Sequence, residues 1–309
     1  MNLRDRICIA IPDSSLSDEM GLREKTIKIG KFARAFSIFG VEKIVIYKDP
    51  TEKKQRSDML LIKLILEFLN TPPYLRKSIY PISNNLSFTG LLPPIKAPHH
   101  KNKVNLKDVK LGEIRVGLLQ DRSYLFHHVE KNKFSHGHKF ISSDNKANYE
   151  LYIDVGLDCL IPYLGEGNHG EKVVVKFINK YPNLKVVRAS TKDLENLYFG
   201  YSIEKVTSLE EFFKNLKQKT FVIFTSKNGR IFKTAQSQLN ESIKHCENLV
   251  IVFGSPSKGI KEIYPNYDKT KHSMYLNMFP FQKTQTIRLE EALLGTLSII
   301  NNFLFKLKY

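Results

Sequence analysis

The residue types with the clearest chemical meaning lie in three turns of the C-terminal third, each of which follows an apolar stretch. Residues 221–224 (FVIF) run into TSKNG, residues 249–253 (LVIVF) run into GSPSKG, and a short stretch near 273–278 runs into FPFQKTQTI. Glycines and small residues let backbone amides approach a ligand, and prolines hold a loop open without internal hydrogen bonds. The turns favour a small-cofactor site built mostly of main chain, although each alone is also typical of an ordinary strand-to-helix connection.

A nucleotide-phosphate loop is an alternative interpretation of the glycine pair Gly254 and Gly259. Their spacing matches G-x-x-x-x-G, but Ile260 and Lys261 follow where that motif needs Lys and then Ser or Thr to reach phosphates and magnesium. Neither N-terminal strand pattern is followed by the dinucleotide motif G-x-G-x-x-G. The sequence therefore argues against both nucleotide motifs.

Strand and helix patterns alternate at both ends of the chain and must position these turns. Apolar strands at 7–11 and 41–47 alternate with helical periodicity at 18–39 and 52–69, and the alternation resumes after Thr220. This βαβα order predicts an α/β fold with a parallel sheet. Because ligands bind outside the carboxyl ends of parallel strands, we expect the three turns to meet at one edge of that sheet.

The middle of the chain has a different character, with short strands separated by polar turns between about Pro93 and Tyr181. We interpret it as a small antiparallel barrel inserted into the α/β domain, which divides the chain into residues 1–92, 93–178 and 179–309. One barrel strand is expected at 124–129 (YLFHHV). Seven histidines fall in this insert, without the ligand spacing of a zinc site, so no metal is expected: His99, His100, His127, His128, His136, His138 and His169.

Charge is the strongest compositional signal, with 48 Lys and Arg against 31 Asp and Glu and a net charge of +17 over 309 residues. Such an excess favours nucleic acid as a partner, because neutralised phosphates release condensed counterions. A lysine-rich proteome with solvated lysines would give the same count. The excess is concentrated in residues 179–309, which hold 20 basic and 11 acidic residues.

Hydropathy and cysteine usage limit the cellular compartment. No apolar stretch reaches the roughly 18 residues that a membrane span needs, and the first apolar run ends at Pro12, too early for a signal-peptide core. The cysteines Cys8, Cys159 and Cys246 are far apart and form no C-x-x-C pair, so neither disulfides nor a thiolate metal site is expected. We expect a soluble cytoplasmic protein.

Longer motifs carry a specific resemblance. LVIVFGSPSKGI followed by NMFPFQKTQTIRLEEALL resembles the C-terminal half of the SPOUT class of RNA methyltransferases. TPPYLRKSIYP at 71–81, GLLPPIKAPHH at 90–100, LREKTIKIGKFARAFSIFG at 22–40 and TSKNG at 225–229 resemble one archaeal and eukaryotic branch of that class. In that branch an OB-fold-like barrel interrupts the SPOUT domain. The resemblance covers nearly the whole chain.

The resemblance implies a deep trefoil knot within residues 221–309 that holds the cofactor S-adenosylmethionine. Its cofactor-binding positions, transferred to this sequence, come from the three turns described above. They are Thr225, Ser226, Gly229, Phe253, Gly254, Ser255, Gly259, Asn277, Phe279, Pro280, Gln282, Thr286, Ile287 and Arg288.

The resemblance also implies methyl transfer to ribosomal RNA, with uridine N3 as the favoured target and a ribose 2′-hydroxyl as an alternative. Such transfer depends on placing a nucleophilic atom in line with an electrophilic methyl group. Arg288 is the first candidate to stabilise negative charge on a uracil carbonyl, because its guanidinium stays charged. Glu291, the second catalytic candidate, and its neighbour Glu290 could accept the uridine proton or only complement the dipole of the helix that follows.

The resemblance also implies two binding partners, RNA and a second copy of the chain. Basic residues in the matched motifs are expected to contact RNA phosphates: Arg23, Lys25, Arg34, Arg76, Lys77, His99 and His100. A homodimer packed through the knot is implied for the helix at 289–305, whose apolar stripe consists of Ala292, Leu293, Thr296, Leu297, Ile300 and Leu304. Lys283 and Val116 depart from the branch pattern, which leaves a non-catalytic RNA-binding assembly factor as the alternative function.

Overall fold

The computed structural model describes residues 6–52, 56–101, 104–121, 139–140, 149–195 and 197–306. The strand expected at 124–129 and the histidines His127, His128, His136 and His138 lie outside these residues. The chain forms two compact units. The first comprises residues 1–70, 83–95 and 200–309, and the second comprises residues 71–82 and 96–199.

A parallel six-stranded sheet forms the centre of the first unit. Numbered along the chain, its strands are β1 (Ile7–Pro12), β2 (Lys43–Tyr47), β9 (Ser202–Val206), β10 (Thr220–Ile231), β11 (Asn248–Val252) and β12 (Ser273–Asn277). Their order is β12-β10-β11-β1-β2-β9, and each neighbouring pair runs parallel. The central strands are buried on both faces, which explains their continuous apolar sequences. The predicted α/β fold with a parallel sheet is confirmed.

Six helices accompany this sheet within the described residues. They are α1 (Leu22–Ile38), α2 (Arg56–Asn70), α4 (Leu209–Lys214), α5 (Phe232–Ile243), α6 (Ile260–Ile263) and α7 (Leu289–Lys306). Helix α1 buries Ile29, Phe32 and Phe36, which lie on one face at helical spacing. No helix in the described parts of the chain is long and apolar enough to cross a membrane.

Helix α1 begins four residues later than the periodicity predicts. Residues Asp13–Leu16 form a 3₁₀ turn, and Asp18 and Glu19 precede the helix. Their carboxylates face the ammonium group of Lys28, which is 1% exposed. The acidic residues are therefore used to neutralise a buried cation rather than to extend the helix.

Strand β10 also differs from the prediction, because the expected turn at 225–229 is part of the strand. Pairing between β10 and β12 shifts register between Thr225 and Arg230, which is the mark of a bulge. A side chain at Gly229 would place its Cβ 2.5 Å from the carbonyl carbon of Leu276. Glycine at this position therefore lets the bulged backbone lie directly against β12.

The second unit is built on a curled, largely antiparallel sheet. Its strands are β3 (Ile114–Asp121), β4 (Lys139–Phe140), β5 (Leu151–Asp154), β6 (Cys159–Pro162), β7 (Lys172–Phe177) and β8 (Val186–Arg188), in the order β4-β6-β5-β3-β7-β8, and helix α3 (Pro73–Ile79) belongs to the same unit. An isolated bridge joins Tyr163 to Val186, so the sheet curls. An α/β unit with a separate antiparallel sheet is confirmed, whereas the OB-like barrel and the three domain ranges stay predictions.

Candidate functional site

The three predicted turns meet around one cavity of about 470 Å³ in the first unit. It lies at the bulge of β10 and at the carboxyl ends of β11 and β12, the edge where parallel strands of an α/β sheet present ligand-binding segments. The first two turns of α7 close a further side through Leu289, Ala292 and Thr296. The expectation that the turns converge at one edge of the sheet is confirmed.

The turn after β11 forms a compact wall of the cavity. The backbone N–H of Ser255 donates to the carbonyl oxygen of Lys258 at 2.9 Å, and the N–H of Lys258 donates to Oγ of Ser255 at 3.0 Å. A Cβ on Gly254 would come within 2.8 Å of the Lys258 carbonyl oxygen. The fold of this turn therefore requires glycine at position 254.

The turn after β12 is tied to the bulge of β10 by a single side chain. The amide of Asn277 donates to the carbonyl oxygen of Lys227 at 2.8 Å, and its Oδ1 accepts from the backbone N–H of Phe279 at 2.8 Å. Phe279 in turn lies against Gly295 of α7, where an added Cβ would meet its ring at 2.5 Å. Asn277 and Gly295 thus hold the two sides of this loop in place.

Tyr47 of β2 supports the cavity wall, and a cluster of buried polar residues directly follows β1 and β2. The hydroxyl of Tyr47 donates to the carbonyl oxygen of Phe253 at 2.6 Å. Close by along the same strand ends, Asp49 accepts from Ser14 Oγ at 2.6 Å and donates its backbone N–H to Oδ1 of Asp13 at 2.9 Å. Burial, reinforced by the neighbouring Asp49 carboxylate, raises the pKa of Asp13 to about 6.

Lysines dominate the charge of the cavity wall. Lys227, Lys258 and Lys261 line it, and the acidic wall residue Glu262 accepts a hydrogen bond from the backbone N–H of Gly259 at 2.6 Å. The ammonium group of Lys261 lies 5.0 Å from the ring centroid of Tyr275, another wall residue. The wall is therefore net positive, which suits an anionic substrate.

Eleven of the fourteen predicted cofactor residues line this cavity. They are Thr225, Ser226, Phe253, Gly254, Ser255, Gly259, Asn277, Phe279, Gln282, Thr286 and Ile287. Among the described residues, Gly229, Pro280 and Arg288 lie outside its wall. Gly229 packs on β12, and Arg288 turns its side chain toward Glu19.

Several wall residues were not among the predicted site residues. They are Lys227, Asn228, Pro256, Ser257, Lys258, Lys261, Glu262, Tyr275, Met278, Gln285, Leu289, Ala292 and Thr296. Ala292 and Thr296 were assigned to the apolar stripe of the last helix, and both also belong to the cavity wall. Ala292 and Thr296 lie three and seven residues after Leu289, so the three positions share one helix face. This spacing could have assigned both residues to the cavity wall from the sequence.

The catalytic candidates lie at the start of α7. Oε2 of Glu291 accepts from the backbone N–H of Arg288 at 3.0 Å, so this carboxylate caps the helix. The Arg288 guanidinium is half exposed and lies 3.1 Å from Oε1 of Glu19 and 3.7 Å from Oε1 of Glu290. Glu290 is buried and also faces Lys28 at 3.6 Å. Arg288 thus belongs to a network of three acidic and three basic groups that includes Lys31 and Asp18.

The predicted RNA-binding residues are distributed over both units. In the first unit Arg23 lies 3.6 Å from Glu24, Lys25 donates to Asp58 at 2.7 Å, and Arg34 donates to the carbonyl of Pro94 at 3.0 Å. In the second unit Arg76 donates to the carbonyl of Thr71 at 3.0 Å, Lys77 is exposed, and His99 is buried against His100. These assignments to RNA stay predictions.

Metal ligands were not expected, and the described residues contain no group of three or more His, Cys, Asp or Glu side chains arranged to hold a metal ion. The cysteines Cys8, Cys159 and Cys246 are free thiols. Burial raises the pKa of Cys8 and of Cys159 to about 12, so both thiols stay protonated and unreactive near neutral pH.

A family model described as "Putative RNA methyltransferase" matches residues 6–300. The chain belongs to this family. The prediction of an RNA methyltransferase is thereby confirmed, and the reaction of such an enzyme requires a methyl donor.

Individual relatives of this RNA methyltransferase match over most of its length. Proteins named 28S rRNA (uridine-N(3))-methyltransferase from Homo sapiens and Mus musculus are each 26% identical over 95% of this chain, and the matches cover 77% and 75% of those relatives. The Drosophila melanogaster protein of the same name is also 26% identical over 95% of this chain. There the match spans 61% of the relative, so part of that longer protein has no counterpart in the aligned region.

Proposed function

We propose that this RNA methyltransferase transfers a methyl group from S-adenosylmethionine to N3 of a uridine in large-subunit ribosomal RNA. The relatives from human, fly and mouse carry names that specify this atom and 28S rRNA, in agreement with the target that the family resemblance implied. The observation that carries the proposal is the cavity at the bulge of β10 and the ends of β11 and β12, in a chain of this family.

The residues of the cavity fit S-adenosylmethionine. A volume of about 470 Å³ lies within the range of pockets that bury small cofactors. Gly254 keeps the turn after β11 free of a side chain, because a Cβ there would lie 2.8 Å from the carbonyl oxygen of Lys258. The wall combines buried apolar side chains, such as Phe253 and Met278, with polar loop residues.

The proposals on fold and assembly follow from the resemblance of the sequence to the SPOUT class. We assign the first unit to the SPOUT class, with a trefoil knot within residues 221–309, and the curled sheet of the second unit to an OB-like insertion. We also propose a homodimer packed through the knot region. Exposed apolar side chains near the site support it, since Phe281 is 85% exposed and Leu294 of α7 is 47% exposed. Light scattering that gives the mass of one chain would contradict the dimer.

The residues of the chain have to place and polarise the uracil ring. S-adenosylmethionine supplies an electrophilic methyl group when bound. Uridine N3 carries a weakly acidic proton, and release of this proton to solvent water puts negative charge on the neighbouring carbonyl oxygens. Arg288 follows the wall residue Ile287, and we assign its guanidinium to stabilising that charge. Glu291 is engaged in capping α7 through the N–H of Arg288, so we assign it to positioning this arginine rather than to accepting the proton.

RNA binding is proposed for the basic groups. The wall lysines Lys227, Lys258 and Lys261 add to the predicted contacts Arg23, Lys25, Arg34, Arg76, Lys77, His99 and His100. Phosphate contacts position an RNA without specifying its sequence. Replacement of these lysines is therefore expected to weaken RNA binding and to reduce its dependence on salt.

The experiment that tests the function has two stages. Isothermal titration measures binding of S-adenosylmethionine to the full chain, and absence of binding would contradict the proposal. Mass spectrometry of ribosomal RNA incubated with the protein and cofactor then locates the added methyl group. A methyl group on a ribose 2′-oxygen would replace the uridine N3 assignment. Cofactor binding without methylation of any ribosomal RNA would support the non-catalytic assembly factor.

A further inference from the structure

Lys261 of the cavity wall is held in place by two tyrosine rings. It is exposed, it lines the cavity from α6, and its Nζ lies 5.0 Å from the ring centroid of Tyr275 and 5.4 Å from that of Tyr267. The two ring centroids are 4.9 Å apart. An ammonium group over an aromatic ring is attracted by the negative charge of the ring face. The tyrosines therefore keep an accessible cation at the wall of the cavity.

The charge of Lys261 is not neutralised within the part of the chain that the structure describes, because no carboxylate there forms an ion pair with it. The adjacent carboxylate of Glu262 instead accepts from the backbone N–H of Gly259 at 2.6 Å. Arg288, which follows the wall residue Ile287, is by contrast paired with Glu19 at 3.1 Å. An accessible cation without a carboxylate partner is suited to an anionic group of a ligand.

The cofactor offers one such group, the carboxylate of its amino-acid end, whereas its adenosine end is uncharged. The wall residues Phe253, Met278 and Leu289 are at most 5% exposed. They suit adenosine, because burial of a charged group among apolar side chains is unfavourable. Lys261 belongs to the exposed part of the wall, where a carboxylate can keep part of its hydration.

We propose that the ammonium group of Lys261 binds the carboxylate of the cofactor and thereby selects a ligand with an intact amino-acid end. The inference rests on S-adenosylmethionine binding, which is part of the proposed function. A lysine side chain normally loses much rotational freedom when it binds an anion. The two tyrosine rings restrict that freedom before the ligand arrives, so less is lost on binding. The contact forms without RNA, in addition to the phosphate contacts proposed for the wall lysines.

Lys261→Met tests the contact, because methionine keeps an unbranched side chain that can pack on the two rings and removes the charge. Binding of S-adenosylhomocysteine, measured by isothermal titration without RNA, should weaken by about threefold to tenfold. Methylthioadenosine has the same adenosine and thioether but no amino-acid group, so its affinity should change less than about twofold. A loss confined to the ligand with a carboxylate would identify the group that Lys261 binds.

The matched control is Lys269→Met, which removes an exposed lysine of the same unit that lies outside the cavity wall. It lowers the net charge by the same amount and should leave both affinities unchanged. Lys261→Arg keeps a cation and should recover most of the affinity for S-adenosylhomocysteine. Added salt should weaken binding of this ligand more in the wild type than in Lys261→Met, because salt screens an exposed ion pair.

The possible failures are distinct. Unchanged affinity for S-adenosylhomocysteine in Lys261→Met, or an equal loss for methylthioadenosine, would overturn the carboxylate contact while leaving the methyltransferase proposal intact. An equal loss in Lys269→Met would overturn it too, because the effect would then come from net charge. A wild-type chain that binds neither S-adenosylmethionine nor S-adenosylhomocysteine would overturn the proposed function and this inference together.

Discussion

The side-chain amide of Asn277 donates to the main-chain carbonyl of Lys227 at 2.8 Å, across 50 residues of sequence. It joins the end of β12 to the bulge of β10, and both residues line the cavity. The same side chain accepts from the N–H of Phe279 at 2.8 Å. One residue therefore sets the distance between two walls of the proposed cofactor site.

Asn277→Ala removes both hydrogen bonds and is expected to weaken S-adenosylhomocysteine binding by about tenfold to thirtyfold, since each bond contributes about 1 kcal/mol to holding the two walls in place. Isothermal titration measures the effect. Asn302→Ala, at an exposed position on α7, is the control and should bind as the wild type does. Wild-type affinity in Asn277→Ala would contradict the role of this residue.

Gly254→Ala should damage the turn after β11. The new Cβ would lie 2.8 Å from the carbonyl oxygen of Lys258 and 3.2 Å from Cα of Gly259, and backbone atoms cannot move away as a flexible side chain can. We expect S-adenosylhomocysteine affinity to fall more than about tenfold, because displacement of the turn costs at least 1.4 kcal/mol of binding free energy. Gly90→Ala meets no atom within 4 Å and serves as the matched control.

Arg288→Ala should separate turnover from cofactor binding. Its side chain lies outside the cavity wall and pairs with Glu19, so we expect S-adenosylhomocysteine affinity to change less than about twofold. Methyl transfer should fall by about a hundredfold if the guanidinium stabilises charge on the uracil. Single-turnover assays with ribosomal RNA measure the rate, and an unchanged rate would remove Arg288 from the mechanism.

Glu291→Gln tests the second catalytic candidate and, unlike Arg288→Ala, should not reduce the rate of methyl transfer. Its amide oxygen can still accept the N–H of Arg288, as the carboxylate does at 3.0 Å, but it cannot take up a proton near neutral pH. The rate should stay close to that of the wild type. A large loss of rate in Glu291→Gln would identify Glu291 as the group that accepts the uridine proton.

Lys28→Met tests the buried charge network behind α7. Lys28 is 1% exposed and faces Asp18, Glu19 and Glu290, so its removal takes a buried cation from three carboxylates, of which that of Glu290 is only 4% exposed. We expect a loss of about 3 kcal/mol in the free energy of unfolding. Lys31→Met removes the other lysine that pairs with Glu290 but is 57% exposed, and it should cost less than about 1 kcal/mol. Urea denaturation of both variants measures the difference.

The raised pKa of Asp13, about 6, predicts a pH dependence of stability. An Asp in an unfolded chain titrates near 4, so between about pH 4 and 6 the folded chain retains a proton that the unfolded chain has released. Stability therefore falls as the pH rises through this window. Asp13→Asn keeps an oxygen to accept from the N–H of Asp49 and removes the charge.

Melting temperatures measured from pH 4 to pH 8 test this prediction. Asp13→Asn should match the wild type near pH 4 and melt a few degrees higher above pH 6.5, where the wild-type carboxylate is charged. Asp268→Asn, at an exposed position in the same unit, should follow the wild type throughout. A variant less stable than the wild type at pH 7.5 would contradict the assignment.

Local patterns in the sequence were sufficient for most regular elements of the first unit. Apolar runs gave β1, β2 and β11, and helical spacing gave α1, α5 and α7, because each pattern is produced by burial against the sheet. The exposed edge strand β9 was missed, since only Val206 of Ser202–Val206 is buried and its sequence lacks an apolar pattern. Its identity as a strand comes from pairing with β2, about 160 residues earlier in the chain.

The sequence by itself determined the parallel sheet and the glycines and small residues at its edge, because these follow from periodicity and from the backbone freedom of small residues. Only the tertiary structure decided which side chains face one another. It pairs Arg288 with Glu19, buries Lys28 among carboxylates and joins Asn277 to Lys227. Such pairings join segments up to about 270 residues apart, so they depend on packing that no local pattern encodes.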